Sequence, residues 1–498
     1  MAFLTEAANR GSISTGYNIE YSNKFESDNS EAITRNYDAS TGANCIANNS
    51  TTNAKKFTVS YWIKKTELLA SGQNIPWIAI AGGYATVVKF QDEKFAAYDD
   101  TAGWSLATNA VFRDTSAWYH LVCAVDTTQS TASDRVNLYV NGVLQTSFST
   151  ENYGTQNNDN QLWKVNTNHT IGNQAYFKGG YIAELHCIDG TQYAASDFGE
   201  YDDSGIWIPK EADVTYGDQG YYLNWSDFGS ANSNANNTGI GKDHSGNTNP
   251  FVNLDNWSSA DIATDTPTNN FAIGNILTST GGFFVITEGA TKAVLSTAGP
   301  GNNTGGVSLI STIPVSKGKW YFEAQNTNSG DAYVYLGVGD TGSLNLWGYD
   351  GVKLGAQNSS SVGWYGGGAQ DGKVYGRSTG TNYTSTNPVT WETEVVGLAL
   401  DLDNEVMYFH KSGTYINSGD PANGTDNDGQ YDLVTGVDDQ WLMAVSAYNL
   451  ATWNVNFGGY TAMTISSAET DANGYGTFEY APPSGYYALC TKNLAEYG

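Results

Sequence analysis

Short runs in which apolar and polar residues alternate, each closed by Gly, Asn or Asp, recur along this chain from end to end. Val136-Asn137-Leu138-Tyr139-Val140 is one of them. A period of two puts Val136, Leu138 and Val140 on one face of an extended strand and Asn137 and Tyr139 on the other. Asn141-Gly142 follows, two residues that tolerate the positive φ of a type I′ hairpin turn. Val143 and Leu144 begin a returning strand. The run before it, Trp118 to Val125, is dense in β-branched and aromatic residues. Together the pieces predict a β-meander.

A chain written this way has few alternatives. No long run carries apolar residues at i, i+3, i+4 and i+7 with caps at both ends, so helices are not expected to build the fold. Its 498 residues exceed one hydrophobic core. The 56 Gly, against only 10 Pro and 15% charged residues, suit many strands joined by tight turns. The predicted class is all-β, with two antiparallel β-sandwich (jelly-roll) domains joined by a loop-rich connector. The pattern divides the chain into an N-terminal arm at 1–20, a first sandwich at 21–208, an Asn/Gly-rich connector at 209–284 and a second sandwich at 285–498. The arm is the expected anchor.

Charge narrows the partners. Lys and Arg number 23 and Asp and Glu 51, a formal net charge of −28. Such a chain repels nucleic-acid phosphates and anionic membrane surfaces. Solubility explains the charge in the simplest way. Work in a salty medium, where screening acts over about 8 Å or less, is the functional alternative. No run of eighteen apolar residues exists, so no membrane insertion is expected. The start, MAFLTEAANR, lacks the basic and apolar regions of a signal peptide. Cys45, Cys123, Cys187 and Cys490 form no CxxC pair, and buried free thiols are expected.

Several stretches carry a family likeness. FTVSYWIK (57–64), WYHLVCAVD, NLYVNGV, TIGN and FKGGYIAELHCIDG (177–190) resemble, in order and spacing, the laminin-G/concanavalin A-like jelly roll. YNIEYSNKFESDNSEAITRNYD (17–38), placed before them, resembles the start of lectin-like structural proteins of tailed bacteriophages. The D-x-SGN-x-N segment at Asp243–Asn249 and DTPTNNF at 265–271 resemble motifs of the same proteins. Neither has an evident chemistry. Asp265 and Asn269 suit turn capping, and Pro267 fixes φ near −65°. GKWYFEAQ (318–325) and VGLALDLDNEVMYFHKSG (396–413) resemble the SPRY (B30.2-like) sandwich, and the ending YAPPSGYYALCTKNL (480–494) resembles that of marine phage SPRY-containing proteins.

The sequence carries little that points to catalysis. Glycoside hydrolysis needs two carboxylates about 5 to 9.5 Å apart. The hydrolases this fold resembles carry them as E-x-D-x-x-E on one strand, and that pattern is missing. Asp401, Asp403 and Glu405 alternate, but Asp403-Asn404 reads better as a hairpin turn. The histidines His120, His169, His186, His244 and His410 have no zinc-site spacing. No GxSxG elbow or P-loop occurs. The reading is therefore a non-enzyme without cofactor. Calcium is the one metal the resemblance suggests, with Asp99, Asp100, Asp126, Asp202, Asp203 and the Asp426-Asn427-Asp428 run as oxygen donors, although turn chemistry is the preferred reading of these residues. For ligand binding, Trp347, Tyr349, Trp364 and Tyr365 stand near Gly-rich loops, and alternation lets at most one ring of each pair face outward.

The resemblance implies a virion protein of a tailed phage, made in the bacterial cytoplasm and released by lysis. A tail fibre or adhesin and a capsid fibre or decoration protein are its two forms. Its partners would be other virion proteins and a host-surface glycan or protein. It would assemble as a homo-oligomer, a trimer being one arrangement, although no heptad repeat enforces one. A polysaccharide depolymerase and a purely structural subunit are the alternatives.

Overall fold

The structure is a computed structural model. It describes residues 16–26, 30–35, 54–69, 71–164, 167–172, 177–229, 237–277, 284–296, 307–328, 334–342, 354, 361–366, 372–376, 382–383, 393–424, 429–433, 440–447 and 450–498. Two compact units divide the chain, one formed by residues 14–268 and the other by 269–498. Both are antiparallel sandwiches, as the alternation predicts.

In the first unit one sheet runs in the order Val143–Leu144, Val136–Val140, Trp118–Asp126, Lys56–Lys65, Gly179–Asp189, Ser22–Glu26 and Ile262–Ala263, with Tyr221–Leu223 also on Gly179–Asp189. The facing sheet runs Phe148–Tyr153, Trp104–Val111, Lys94–Asp99, Tyr84–Gln91, Gln73–Ala81, Asn168–Ile171, Ala32–Arg35 and Asn253–Asp255. Phe57, Val59, Tyr61, Leu121 and Cys123 meet Trp77, Phe90, Trp104 and Leu106 between them. The expected meander is present. Val140 opposes Leu121 and Val143, and Asn141 and Gly142 take φ of 47° and 79°. Gly142 also lies against the Trp207 ring, where a Cβ would sit 2.4 Å from it.

The second unit stacks Phe284–Thr287, Lys292–Leu295, Ala451–Asn456, Lys319–Asn326, Val396–Asp401, Val406–Lys411 and Thr414–Tyr415 against Val307–Ile310, Trp441–Ala447, Val334–Asp340, Ser361–Gly366, Val374–Gly376 and Asn382–Tyr383. Trp320, Phe322, Leu398, Phe409, Trp364 and Val445 lie in its core. The hairpin Val396–Lys411 turns over residues 402–405, where Asn404 donates to Asp401 and Glu405 has φ 58°. This is the turn expected at Asp403-Asn404. Ser412 and Gly413 both take positive φ. A short helix, Thr491–Tyr497, closes the chain.

The connector expected at 209–284 is not one. Tyr221–Leu223, Asn253–Asp255 and Ile262–Ala263 are strands of the first sandwich, and residues from 269 onward belong to the second. Its Asn- and Asp-rich sequence lacks alternation because side chains, not a ladder, hold it. Asp243 accepts from the backbone N–H of Tyr222, Ser245 and Asn249 and from Ser245 Oγ. Asn249 Nδ2 donates to the carbonyls of Asp218 and Gly220, and its Oδ1 accepts from buried Arg35. Of the arm expected at 1–20, residues 1–15 lie outside the described residues. Residues 16–20 pack on the first sandwich, where Ile19 N donates to Thr268 Oγ1.

Candidate functional site

Trp347 and Tyr349 lie outside the described residues. Trp364 and Tyr365 point to opposite faces of their strand, as alternation requires, yet both are buried, at 0% and 3% exposure. Trp364 packs against Phe409 in the core. Tyr365 sits on the other face with Tyr335 at 4.8 Å and Tyr375 at 5.9 Å, alongside Leu354 and Leu442. Alternation allows at most one ring of the pair to face a ligand, and neither does, so Trp364 and Tyr365 are corrected from ligand-binding candidates to packing residues.

The calcium candidates bind their own backbone. Asp99 is buried and accepts from the N–H of Thr101, Ala102 and Gln161 and from Thr86 Oγ1. Burial raises its carboxyl above the ordinary range. Asp100 caps Ala85 N at 2.9 Å. Asp126 holds Thr128 N at 2.9 Å and Lys56 Nζ at 3.0 Å. Asp202 accepts from Ser204 N and Ile206 N. Asp203 is exposed, and Asp426-Asn427-Asp428 lies outside the described residues. Among the described residues no three His, Cys, Asp or Glu side chains are placed to hold a metal.

The alternating acids do not converge either. Asp401 pairs with Lys319 at 2.7 Å, and Asp403 accepts from Gly318 N. Cys123, Cys187 and Cys490 are free and buried, and burial raises all three thiols, Cys490 to about 12.

One constellation escaped the sequence reading. The strand Gly179–Asp189 carries a bulge between Ala183 and His186. At the bulge Glu184 takes φ 48°, the left-handed region that a side chain enters at a cost of about 1–2 kcal/mol. The bend turns Glu184 to the outer face of the sheet. Its carboxylate accepts from Tyr17 Oη at 2.8 Å and from Tyr222 Oη at 2.7 Å. His186 Nε2 stands 3.6 Å away, and His186 Nδ1 bonds Tyr216 Oη at 2.7 Å. The His186 and Tyr222 rings stack at 4.4 Å and 6°. Burial, then the Glu184 charge, pushes the Tyr17, Tyr216 and Tyr222 phenols up, so all three stay protonated donors. Nearby, His244 Nε2 and Lys242 Nζ reach Asp227 at 2.9 and 3.5 Å. The result is an aromatic cluster around a buried carboxylate, with Tyr17, Tyr216 and Tyr222 partly exposed. No motif announces it, because Tyr17 is 167 residues from Glu184 and Tyr222 is 38.

No curated protein matches this sequence. Among solved structures, the crystal structure of the TRIM65 PSpry domain is 12% identical, with 37% of this chain and 92% of that chain covered and a TM-score of 0.26. The SPRY domain of human HERC1 is 13% identical over 36% of this chain and 94% of that one, with a TM-score of 0.24. Residues 38–192, inside the first sandwich, match the family model of the Concanavalin A-like lectin/glucanases superfamily, and it is to that superfamily that this part of the chain is similar.

Proposed function

We propose that this chain is a binding and display protein that breaks no bond, carried on the virion of a tailed phage as a fibre, adhesin or decoration subunit. The lectin-like unit would take a neutral polyhydroxylated ligand, a host-surface glycan, and the second, SPRY-like unit would serve protein contacts. The virion setting rests on the D-x-SGN-x-N and DTPTNNF likenesses. The binding role rests on one observation, the strained Glu184 held between the hydroxyls of Tyr17 and Tyr222. Strain of this kind persists where the surroundings over-determine it, and it gathers at ligand sites. Stacked rings offer flat apolar faces to sugar C–H groups, and a carboxylate accepts from sugar hydroxyls. Glu184, with Glu211 acting electrostatically on the same Tyr17, disfavours an anionic ligand.

The test is a binding assay of the purified chain on host-surface polysaccharide, with reducing ends counted in parallel. Binding that weakens at least tenfold in Tyr222→Phe, with no new reducing ends, is the expected result. New reducing ends would make the chain a depolymerase. A blank array, with the sandwiches seen buried among other virion proteins, would leave a purely structural subunit.

A further inference from the structure

The DTPTNNF motif acquires a chemistry from where its first residue goes. Asp265 Oδ2 lies 2.7 Å from Lys64 Nζ, and both side chains are 0% exposed. Lys64 stands directly opposite Trp118 on one neighbouring strand and Tyr181 on the other. Trp118 Nε1 donates to Asp265 Oδ1 at 3.1 Å, and Ser22 Oγ fixes the Asp265 carbonyl at 2.6 Å. The amine and carboxyl are thus pressed together in a dry, aromatic-walled site.

Other lysines in this unit are also paired with carboxylates in the interior. Lys24 is shared by Glu31 at 2.9 Å and Asp261 at 3.0 Å. Lys65 contacts Glu93 and also the Phe112 carbonyl. Both side chains are buried too, at 1% and 0% exposure. Full burial of a charged pair costs more than a partner in low dielectric readily returns.

We propose that Lys64 and Asp265 join covalently, through an isopeptide bond between Nζ and Cγ. A proton passes from Nζ to Oδ2, leaving an amine and a carboxylic acid. Nζ attacks Cγ. Nζ then gives a second proton to Oδ2, the Cγ–Oδ2 bond breaks, and one water leaves. The product is a neutral amide, and no oxidant, reductant or co-substrate takes part.

Three features favour the step. Contact between the groups makes it unimolecular, and well-oriented intramolecular reactions reach effective molarities of about 10⁵–10⁸ M. The Trp118 N–H already points at Oδ1, where negative charge develops in the tetrahedral intermediate. Burial lowers the Lys64 ammonium below its ordinary value, although the charges of Asp265 and Asp114 oppose this. The bond would close a loop of 201 residues, from Lys64 in the middle of the sheet to Asp265 at the unit's last turn.

Intact mass under denaturing conditions tests this. The full chain should weigh one water less than its sequence, and protease digestion should yield a branched peptide pair joined at Lys64 and Asp265. Lys64→Arg, which keeps the charge but not the nucleophile, should restore the full mass. A wild-type mass equal to the sequence would overturn the proposal. So would a water loss that persists in Lys64→Arg or maps to another peptide. If Lys64→Arg does not fold, fragmentation of the wild-type pair decides the matter alone.

Discussion

Trp207 Nε1 donates to His120 Nδ1 at 3.1 Å, and that bond decides what His120 can do. With Nδ1 an acceptor, the ring proton sits on Nε2 and is donated to Ser60 Oγ at 2.9 Å. The imidazole is stacked on Trp62 at 4.8 Å and on Trp207 at 5.9 Å. Burial holds it down to about 3. A Ser–His contact with this tautomer gives the histidine no lone pair for the serine proton, so it does not make a nucleophile. Nitrogen NMR should show a pyridine-type Nδ1 and a pyrrole-type Nε2, unchanged from pH 8 to 5. Protonation of His120 in the folded state within that range would refute the assignment.

His120 and His169 in the first unit and His410 in the second all lie near 3. The unfolded chain takes up these protons near 6.5 and the folded chain does not. Each therefore contributes stability that is present above about 6.5 and lost as pH falls. At pH 5 the loss is ~2 kcal/mol per histidine. Denaturant titrations should show the first unit weakening steadily from pH 7 to 5. His169→Gln should flatten about half of that slope, and an unchanged slope would remove His169 from the account.

Glu323 works in the opposite sense in the second unit. Its carboxyl is fully buried and accepts from Tyr321 Oη, Asn456 Nδ2 and the N–H of Glu479 and Tyr480, at 2.8 to 3.2 Å. Burial outweighs these donors and pushes it up to about 7. A raised acid stabilises fully below its unfolded value of about 4.5, and the contribution is lost as pH rises through 7. That amounts to ~3 kcal/mol by pH 8. Across pH 5 to 8 it offsets the His410 term, so the second unit should respond to pH less steeply than the first. Glu323→Gln should be less stable overall, yet should no longer weaken toward pH 8.

Gly397 makes room for the same network. A Cβ there would meet His410 Nε2 at 1.9 Å. That nitrogen bonds Tyr321 Oη at 2.6 Å, and Gly413 N donates to His410 Nδ1. Gly397→Ala must push the ring away and uncouple Tyr321 and Glu323 together. We expect a loss of ~3 kcal/mol or more in the second unit's unfolding free energy, with the first unit unaffected. A loss under ~1 kcal/mol would mean that the ring can move freely.

Much of this was legible in the sequence, and the illegible part has a common cause. The Asn141-Gly142 hairpin and the turn after Asp401 were readable because local spacing sets them. Alternation placed Trp364 and Tyr365 on opposite faces, but it carries no information on what covers each face. Residues 209–284 read as a connector because Asp243, Asn247 and Asn249 bond to backbone in place of an apolar ladder. Glu184 could not be found at all. A bulge that turns a glutamate into the left-handed region leaves no mark in YIAELHCIDG, and its partners come from distant segments.

Backbone strain at Glu184 can be isolated by comparing two variants that both delete the carboxylate. Glu184→Ala keeps a Cβ at φ 48°, and Glu184→Gly does not. Each removes the carboxylate acceptor of the Tyr17 and Tyr222 hydroxyls alike and leaves their mutual bond at 3.0 Å in place. Glu184→Gly should therefore be the more stable by ~1 kcal/mol, although glycine's freedom in the unfolded chain takes back part of the gain. Equal stabilities would show that the bulge relaxes on losing the carboxylate and stores no strain.

Asp243 ties the D-x-SGN-x-N segment to the candidate site, since one of its four donors is the backbone N–H of Tyr222. Asp243 is 1% exposed and lies between donors on both oxygens, with Ser245 Oγ and Asn249 N on Oδ2. Asp243→Asn replaces one acceptor with an NH₂ that must face a donor. Leaving such a group unmatched costs ~1–3 kcal/mol. The strand Tyr221–Leu223 is only three residues long and has little ladder to hold it without this bond. We therefore expect Asp243→Asn to lower the first unit's stability and to weaken glycan binding more than the stability loss explains, because Tyr222 leaves its register over His186. Restoring stability with a compensating substitution elsewhere should leave the binding defect in place. Full recovery of binding with stability would confine Asp243 to folding.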